Sequence, residues 1–263
     1  MSGAVVGTEP RADPFGRLEL ARGLLRGFEN REVNARAAEG ARPDERLLPV
    51  VEPLARLLPA GGLRRGSTVA LPGGVGSGSL LLALLAEASA GGAWVGVVGR
   101  PELGLVAAAE AGLRLERLAL VPRPGADLLA VTSALLDGLD LVAMAGAERA
   151  GIRAADRQRL AARARQRGAV LVALGSWPGA DLELTCGDVR WHGLGHGLGH
   201  GRSVGEGRLR SRAVRVCVHG RGVAPGGIDT RLLLPAPGGG VADEAHGDEA
   251  AALAARPAVR MVV

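Results

Sequence analysis

Residues 67–82 read Ser67-Thr68-Val69-Ala70-Leu71-Pro72-Gly73-Gly74-Val75-Gly76-Ser77-Gly78-Ser79-Leu80-Leu81-Leu82. A short apolar, β-branched run, a glycine-rich turn and a leucine-rich run predict a strand, a loop and a helix in that order. A glycine loop feeding a helix N-terminus is where backbone N–H groups and the helix dipole attract phosphate. The nucleotide-binding template for such a loop is G-x-x-x-x-G-K-[ST]. Gly73, Gly74, Gly76 and Gly78 fall within its first six positions, but Ser79 stands where the lysine belongs and Leu80 where the hydroxyl belongs. Taken by itself, the same segment reads equally as a tight strand-to-helix turn.

The two departures remove specific chemistry. The lysine neutralises β/γ-phosphate charge and the Ser/Thr oxygen ligates Mg²⁺. The chain contains no lysine at all; its 32 basic residues are all arginine, and none lies in the loop. The second metal-binding acid belongs at the end of an apolar strand. The matching run, Leu139-Asp140-Leu141-Val142-Ala143-Met144-Ala145-Gly146, ends on Ala145, with Glu148 three residues on. Losing electrostatic groups of this kind costs several kcal/mol of barrier each. The expectation is a vestigial site at Gly73, Gly74, Gly76, Gly78 and Ser79, with no catalysis, no cofactor and no metal.

Outward from this segment, strand and helix signals alternate. Strands are predicted at Ser67–Leu71, Ala93–Val98, Leu118–Val121, Leu139–Ala143 and Ala169–Leu174. Helices are predicted at Leu80–Ala90, Pro101–Ala111, Asp127–Asp137 (Asp127 as N-cap) and Ala154–Arg167, closed by Gly168. The apolar strands lack period-two alternation, as expected of parallel strands covered on both faces. The fold class is therefore α/β with a mostly parallel central sheet. After residue 175 the candidates Leu182–Cys186, Val189–Trp191, Leu209–His219 and Thr230–Leu234 lack intervening helices, which predicts an antiparallel C-terminal extension. Upstream, Gly61–Gly66 reads as a turn cluster. Leu47–Leu58, broken by Pro49 and Pro53, reads as a turn or broken helix. Phe15–Arg36 has the spacing of an amphipathic helix. The organisation is an N-terminal helix and linker (1–46), a core (47–236) and a mobile tail (237–263).

The 263 residues are 47% apolar and only 2% aromatic, so the core is built from Leu, Val and Ala. A formal charge of +5 is compatible with nucleic acid or an acidic partner without demanding either. Cys186 and Cys217 sit in apolar runs and read as buried free thiols. No run approaches the ~18 apolar residues of a membrane span, and no signal peptide is visible, so a soluble, cytoplasmic protein is expected. His192, His196 and His200 are spaced by four, but the alternating glycines between them point to a low-complexity loop over a metal site. Arg208, Arg210 and Arg212 share one strand face at period two. With Arg215 nearby, they read either as a solvated face or as an edge that binds phosphate or acid. The arginines of 153–167 read as a solvated helix face or a protein interface.

Gly61-Gly62-Leu63-Arg64-Arg65-Gly66 before the first strand resembles the G-G-L-x-x-G turn of RecA. The segment Ala111–Val121 resembles the RecA passage from a helix into the next strand. Asp156-Arg157-Gln158-Arg159-Leu160, Val189-Arg190-Trp191, Leu209-Arg210-Ser211-Arg212 and Gly220-Arg221-Gly222 resemble ImuA-type proteins, RecA relatives of the bacterial SOS mutasome. The resemblance covers about residues 47–236, and the order of its motifs along the chain is its stronger part. It implies a RecA-like P-loop fold and an accessory role in error-prone translesion synthesis. The implied partners are an ImuB-type Y-family polymerase homologue and an error-prone C-family DNA polymerase, with DNA contact left open. Partner or nucleic-acid contacts are expected at Arg208, Arg210, Arg212 and Arg221. Glu102 lies near the place of RecA's catalytic glutamate, though an acid at a helix start also suits the helix dipole. Two other readings are a weak ATPase using other groups and a SulA-like cell-division inhibitor.

Overall fold

The computed structural model describes residues 46–194, 207–237 and 239–244. The helix expected over 15–36, His196, His200 and the tail beyond 244 lie outside them.

Eleven strands and five α-helices are formed among these residues: β1 (Leu47–Pro49), α1 (Glu52–Ala55), β2 (Gly62–Arg64), β3 (Thr68–Leu71), α2 (Ser77–Ala90), β4 (Val95–Val98), α3 (Leu105–Glu110), β5 (Leu118–Val121), α4 (Leu128–Gly138), β6 (Leu141–Ala145), α5 (Ala154–Arg167), β7 (Val170–Leu174), β8 (Leu182–Leu194), β9 (Gly207–Gly220), β10 (Ile228–Leu233) and β11 (Ala242–Asp243). Nine strands form one sheet in the order β11-β10-β9-β8-β3-β7-β6-β4-β5. From β8 to β5 all neighbours are parallel, while β9, β10 and β11 add on antiparallel. This is the mostly parallel sheet with an antiparallel C-terminal extension expected of a RecA-like chain.

The sheet separates two apolar layers. On one face, Val69, Leu71, Val95 and Val97 pack with the leucines of α2, with Leu54 and Leu63, and with Val214, Val216 and Val218 of β9. On the other, Ala70, Val98, Val142, Met144 and Leu171 pack with Leu128, Leu135 and Leu136 of α4 and Leu160 and Ala164 of α5. Adjacent strand residues thus bury themselves on opposite faces, which is why the sequence shows no alternation. Helix α2 is covered on all sides in its middle, where Leu80 to Leu85 are all buried, while Glu87 near its end is exposed. That matches the unbroken apolar run of residues 80–86.

Several boundaries differ from expectation for local reasons. The run 47–58 contains a strand, because β1 pairs antiparallel with β2 inside the region read as a turn. Helix α2 starts at Ser77 and not at Leu80: Gly76, at φ 104°, takes the cap position and its carbonyl receives the Leu80 N–H at 2.9 Å. Helix α3 is shorter than the run 101–111. Asp127 precedes α4 but makes no side-chain capping bond. Leu182–Cys186 and Val189–Trp191 are one strand, β8, interrupted by a bulge between Gly187 and Arg190 with Asp188 at φ 45°. Within the segment assigned to the tail, β11 pairs with β10.

Candidate functional site

In open α/β sheets, ligands gather outside the carboxyl ends of parallel strands. Here those ends belong to β3, β7, β6 and β4, and the loop 72–76 leaves β3 among them. A cavity of about 300 Å³ lies there, lined by Gly73, Ser77, Arg100, Ala145, Glu148 and Arg149 among others. Gly99 shapes it: at φ +75°, a Cβ on this residue would meet the Ala145 carbonyl oxygen at 2.4 Å. Only glycine lets the ends of β4 and β6 approach so closely.

Two flanks of the loop differ. On the extension side it is packed shut: a Cβ on Gly76 would lie 3.3 Å from Val214 and 3.4 Å from Cys186. The Cys186 thiol is pushed up to about 11, chiefly by burial and only partly countered by Arg212. On the cavity side it is open and cationic. A Cβ on Gly78 would meet Arg100 Nη2 at 3.1 Å, so this guanidinium stands over the first turn of α2. Its Nε is buried without a hydrogen-bond partner and lies 3.4 Å from Glu102 Oε1, within ion-pair range. Glu102 offsets part of this charge, while Arg149 and the positive end of the helix add to the positive potential facing the cavity. The arrangement can therefore take a small anion. Its acids are poorly placed for Mg²⁺: Ala145 carries no carboxylate, and Glu148 is an exposed side chain approaching Gly175. No cluster of potential metal ligands occurs among the described residues.

Ser79 does not face this cavity. It lines a separate hollow between α2, α3 and the segment 235–241, and its hydroxyl accepts a 2.8 Å hydrogen bond from Arg212 Nη2. Arg212 also donates through Nε to the Leu234 carbonyl at 2.8 Å and lies 5.1 Å from the Trp191 ring centre. Burial lowers its affinity for the proton, with Cys186 opposing the shift. The position of the template lysine is thus tied to the C-terminal extension. Leu80, in the hydroxyl position, is fully buried in the core.

Of the arginines expected to form one contact surface, Arg212 and Arg221 stand far apart. Arg212 has the same parity as the buried Val214, Val216 and Val218, so it shares their inward face and is no part of a solvated row. Arg215 points the other way and pairs with Asp229 at 2.9 Å. Arg208 and Arg210 belong to β9. Arg221 lies in the turn after it, nine residues or about 30 Å along the chain direction from Arg212, and pairs with Asp181 at 3.5 Å. The arginine-rich α5 is partly structural, since Arg163 and Arg167 both bind Asp137 of α4. His192 Nε2 is buried without a partner. Sequence reasoning missed Arg100 and Arg149. The available signal was their place just after β4 and β6, at carboxyl strand ends.

Residues 56–179 match the family model described as the MT3502 N-terminal domain. Over 172 residues the chain is 37% identical to the uncharacterized protein Rv3395c of Mycobacterium tuberculosis, covering 62% of this chain and 81% of that protein. The chain belongs to the Rv3395c family. The segment matched by the family model holds the loop, the cavity with Arg100 and Arg149, and the parallel strands β3 to β7. The extension β8–β11, which supplies Arg212, lies beyond it. Among solved structures, the crystal structure of the RadB recombinase aligns with a TM-score of 0.49 at 16% identity, covering 72% of this chain and 96% of that chain. No described helix of this Rv3395c-family protein is long and apolar enough to cross a membrane.

Proposed function

We propose that this protein is a non-catalytic, RecA-like accessory factor of error-prone translesion synthesis. In this reading it acts as an adaptor for an ImuB-type Y-family polymerase homologue and an error-prone C-family polymerase in the SOS response. The partner assignment rests on the sequence resemblance. The absence of catalysis is supported above all by the Arg212–Ser79 contact, 2.8 Å long, which commits the former lysine position to holding the extension. Buried Leu80 and the carboxylate-free end of β6 at Ala145 support the same conclusion.

The test is a pull-down of the purified chain with the ImuB-type homologue, with and without ATP–Mg²⁺. Binding indifferent to nucleotide is expected. Binding that requires ATP would favour a second reading, a nucleotide-sensing or weakly hydrolytic protein. The Arg100 guanidinium beside the α2 N-terminus favours that alternative, since its Nε has an ion-pair neighbour in Glu102 but no hydrogen bond. Absence of binding in both conditions refutes the adaptor role.

A further inference from the structure

A second cleft lies at the opposite end of the sheet from the glycine loop, where β3 and β8 begin and β9 ends. Its volume is about 440 Å³, and Arg64, Arg65, Arg165 and Arg221 line it together with Asp181. These four arginines come from three separate parts of the chain. Arg64 and Arg65 flank the turn from β2 into β3, Arg165 sits in the last turn of α5, and Arg221 follows β9. Gly66 makes the convergence possible. At φ +80°, a Cβ there would lie 3.1 Å from the Arg165 Cα, so the turn rests directly on the end of α5.

The local carboxylates are already engaged. Asp140 accepts from Arg65 Nη1 at 2.7 Å, and that guanidinium also reaches the Gly168 carbonyl at 3.4 Å, so Arg65 is held in place. Asp181 accepts the Thr68 N–H at 2.9 Å while pairing with Arg221. Arg64 and Arg165 are exposed, and neither forms an ion pair among the described residues. The cleft thus sets four guanidinium groups against two carboxylates. Arginine forks suit phosphate oxygens, which they bind through paired N–H donors. No aromatic side chain lines the cleft, so it offers no platform for stacking a base.

We propose that this cleft binds a phosphate group, presented by a nucleic-acid strand or by a free phosphate compound, without reading the base. The inference does not depend on the adaptor reading, and its assay involves no polymerase.

Anisotropy of a labelled single-stranded oligonucleotide, measured across a salt series, tests it, with calorimetry using pyrophosphate as the second probe. The wild-type chain is expected to bind at least one of the two. Oligonucleotide binding that pyrophosphate displaces identifies a strand as the source. Pyrophosphate binding alone identifies a free phosphate compound. In either case the Arg64→Ala/Arg165→Ala double variant should bind about tenfold more weakly or worse. For a strand, the slope of log K against log salt should also fall by about 0.7 for each phosphate that the variant no longer neutralises. Arg159→Ala, an exposed arginine on the same helix outside the cleft, should bind as wild type. Both substituted cleft side chains are exposed, so an unchanged thermal melt is expected and will show that the variant is folded. The proposal is overturned if neither probe binds, or if the double variant binds like the wild type.

Discussion

Replacing Arg212 with alanine probes the junction between the loop and the extension. The side chain is half-buried and makes two 2.8 Å hydrogen bonds, to Ser79 Oγ and to the Leu234 carbonyl. A bond from a charged donor contributes about 1.5–3 kcal/mol. Partial solvent access places these two near the lower bound. The Trp191 ring is 51% exposed, so its cation–π contact adds only about 0.5–1 kcal/mol. Against these stands the cost of keeping a guanidinium partly out of water, visible in its lowered proton affinity. The net loss is about 2–3 kcal/mol, or roughly a 5–10 °C fall in Tm for a chain of this size. Ser79→Ala should cost about 1 kcal/mol, and the double variant should cost less than the sum of the two, because they share one bond. Ser79→Lys should destabilise as well, by setting an ammonium against Arg212, and should not create ATP hydrolysis. Urea unfolding followed by circular dichroism reads all four variants. An Arg212→Ala midpoint equal to wild type would mean that neither bond contributes to stability, and hydrolysis by Ser79→Lys would show that the site is merely short of a lysine.

Two further outcomes follow from buried groups. Asp140→Ala should destabilise by about 3 kcal/mol in urea unfolding, because it strands the half-buried Arg65 and the Trp94 N–H that Asp140 accepts at 2.9 Å; a loss below about 1 kcal/mol would mean that water replaces the carboxylate. Since burial raises the Cys186 thiol to about 11, it stays protonated at pH 8. In a Cys217→Ser background, alkylation at pH 8 should be much slower folded than in urea and should accelerate as the pH approaches 11, as long as the chain remains folded; equal rates at pH 8 would contradict the burial of this thiol.

The sequence alone determined the fold class and the position of the loop. Long apolar strand runs without alternation can be satisfied only when covered on both faces, and helices of matching length lay between them. It also determined which chemical groups are missing, because the absence of lysine in the chain and the identities Ser79, Leu80 and Ala145 need no coordinates. It failed where partners are distant along the chain. The β1–β2 pairing was hidden because three-residue strands carry no periodic signal. Arg208, Arg210 and Arg212 read equally as a solvated face or as an edge that binds phosphate or acid, and neither reading shows that the buried face of β9 extends back to residue 212. That face is set by Ser79 and Leu234, which stand 133 and 22 residues away. The placing of Arg100 over the α2 N-terminus, and of Arg64, Arg65, Arg165 and Arg221 around one cleft, comes from the packing of the folded chain. Local propensity fixes the period of each element, whereas the convergence of charges depends on which strand ends the crossovers bring together.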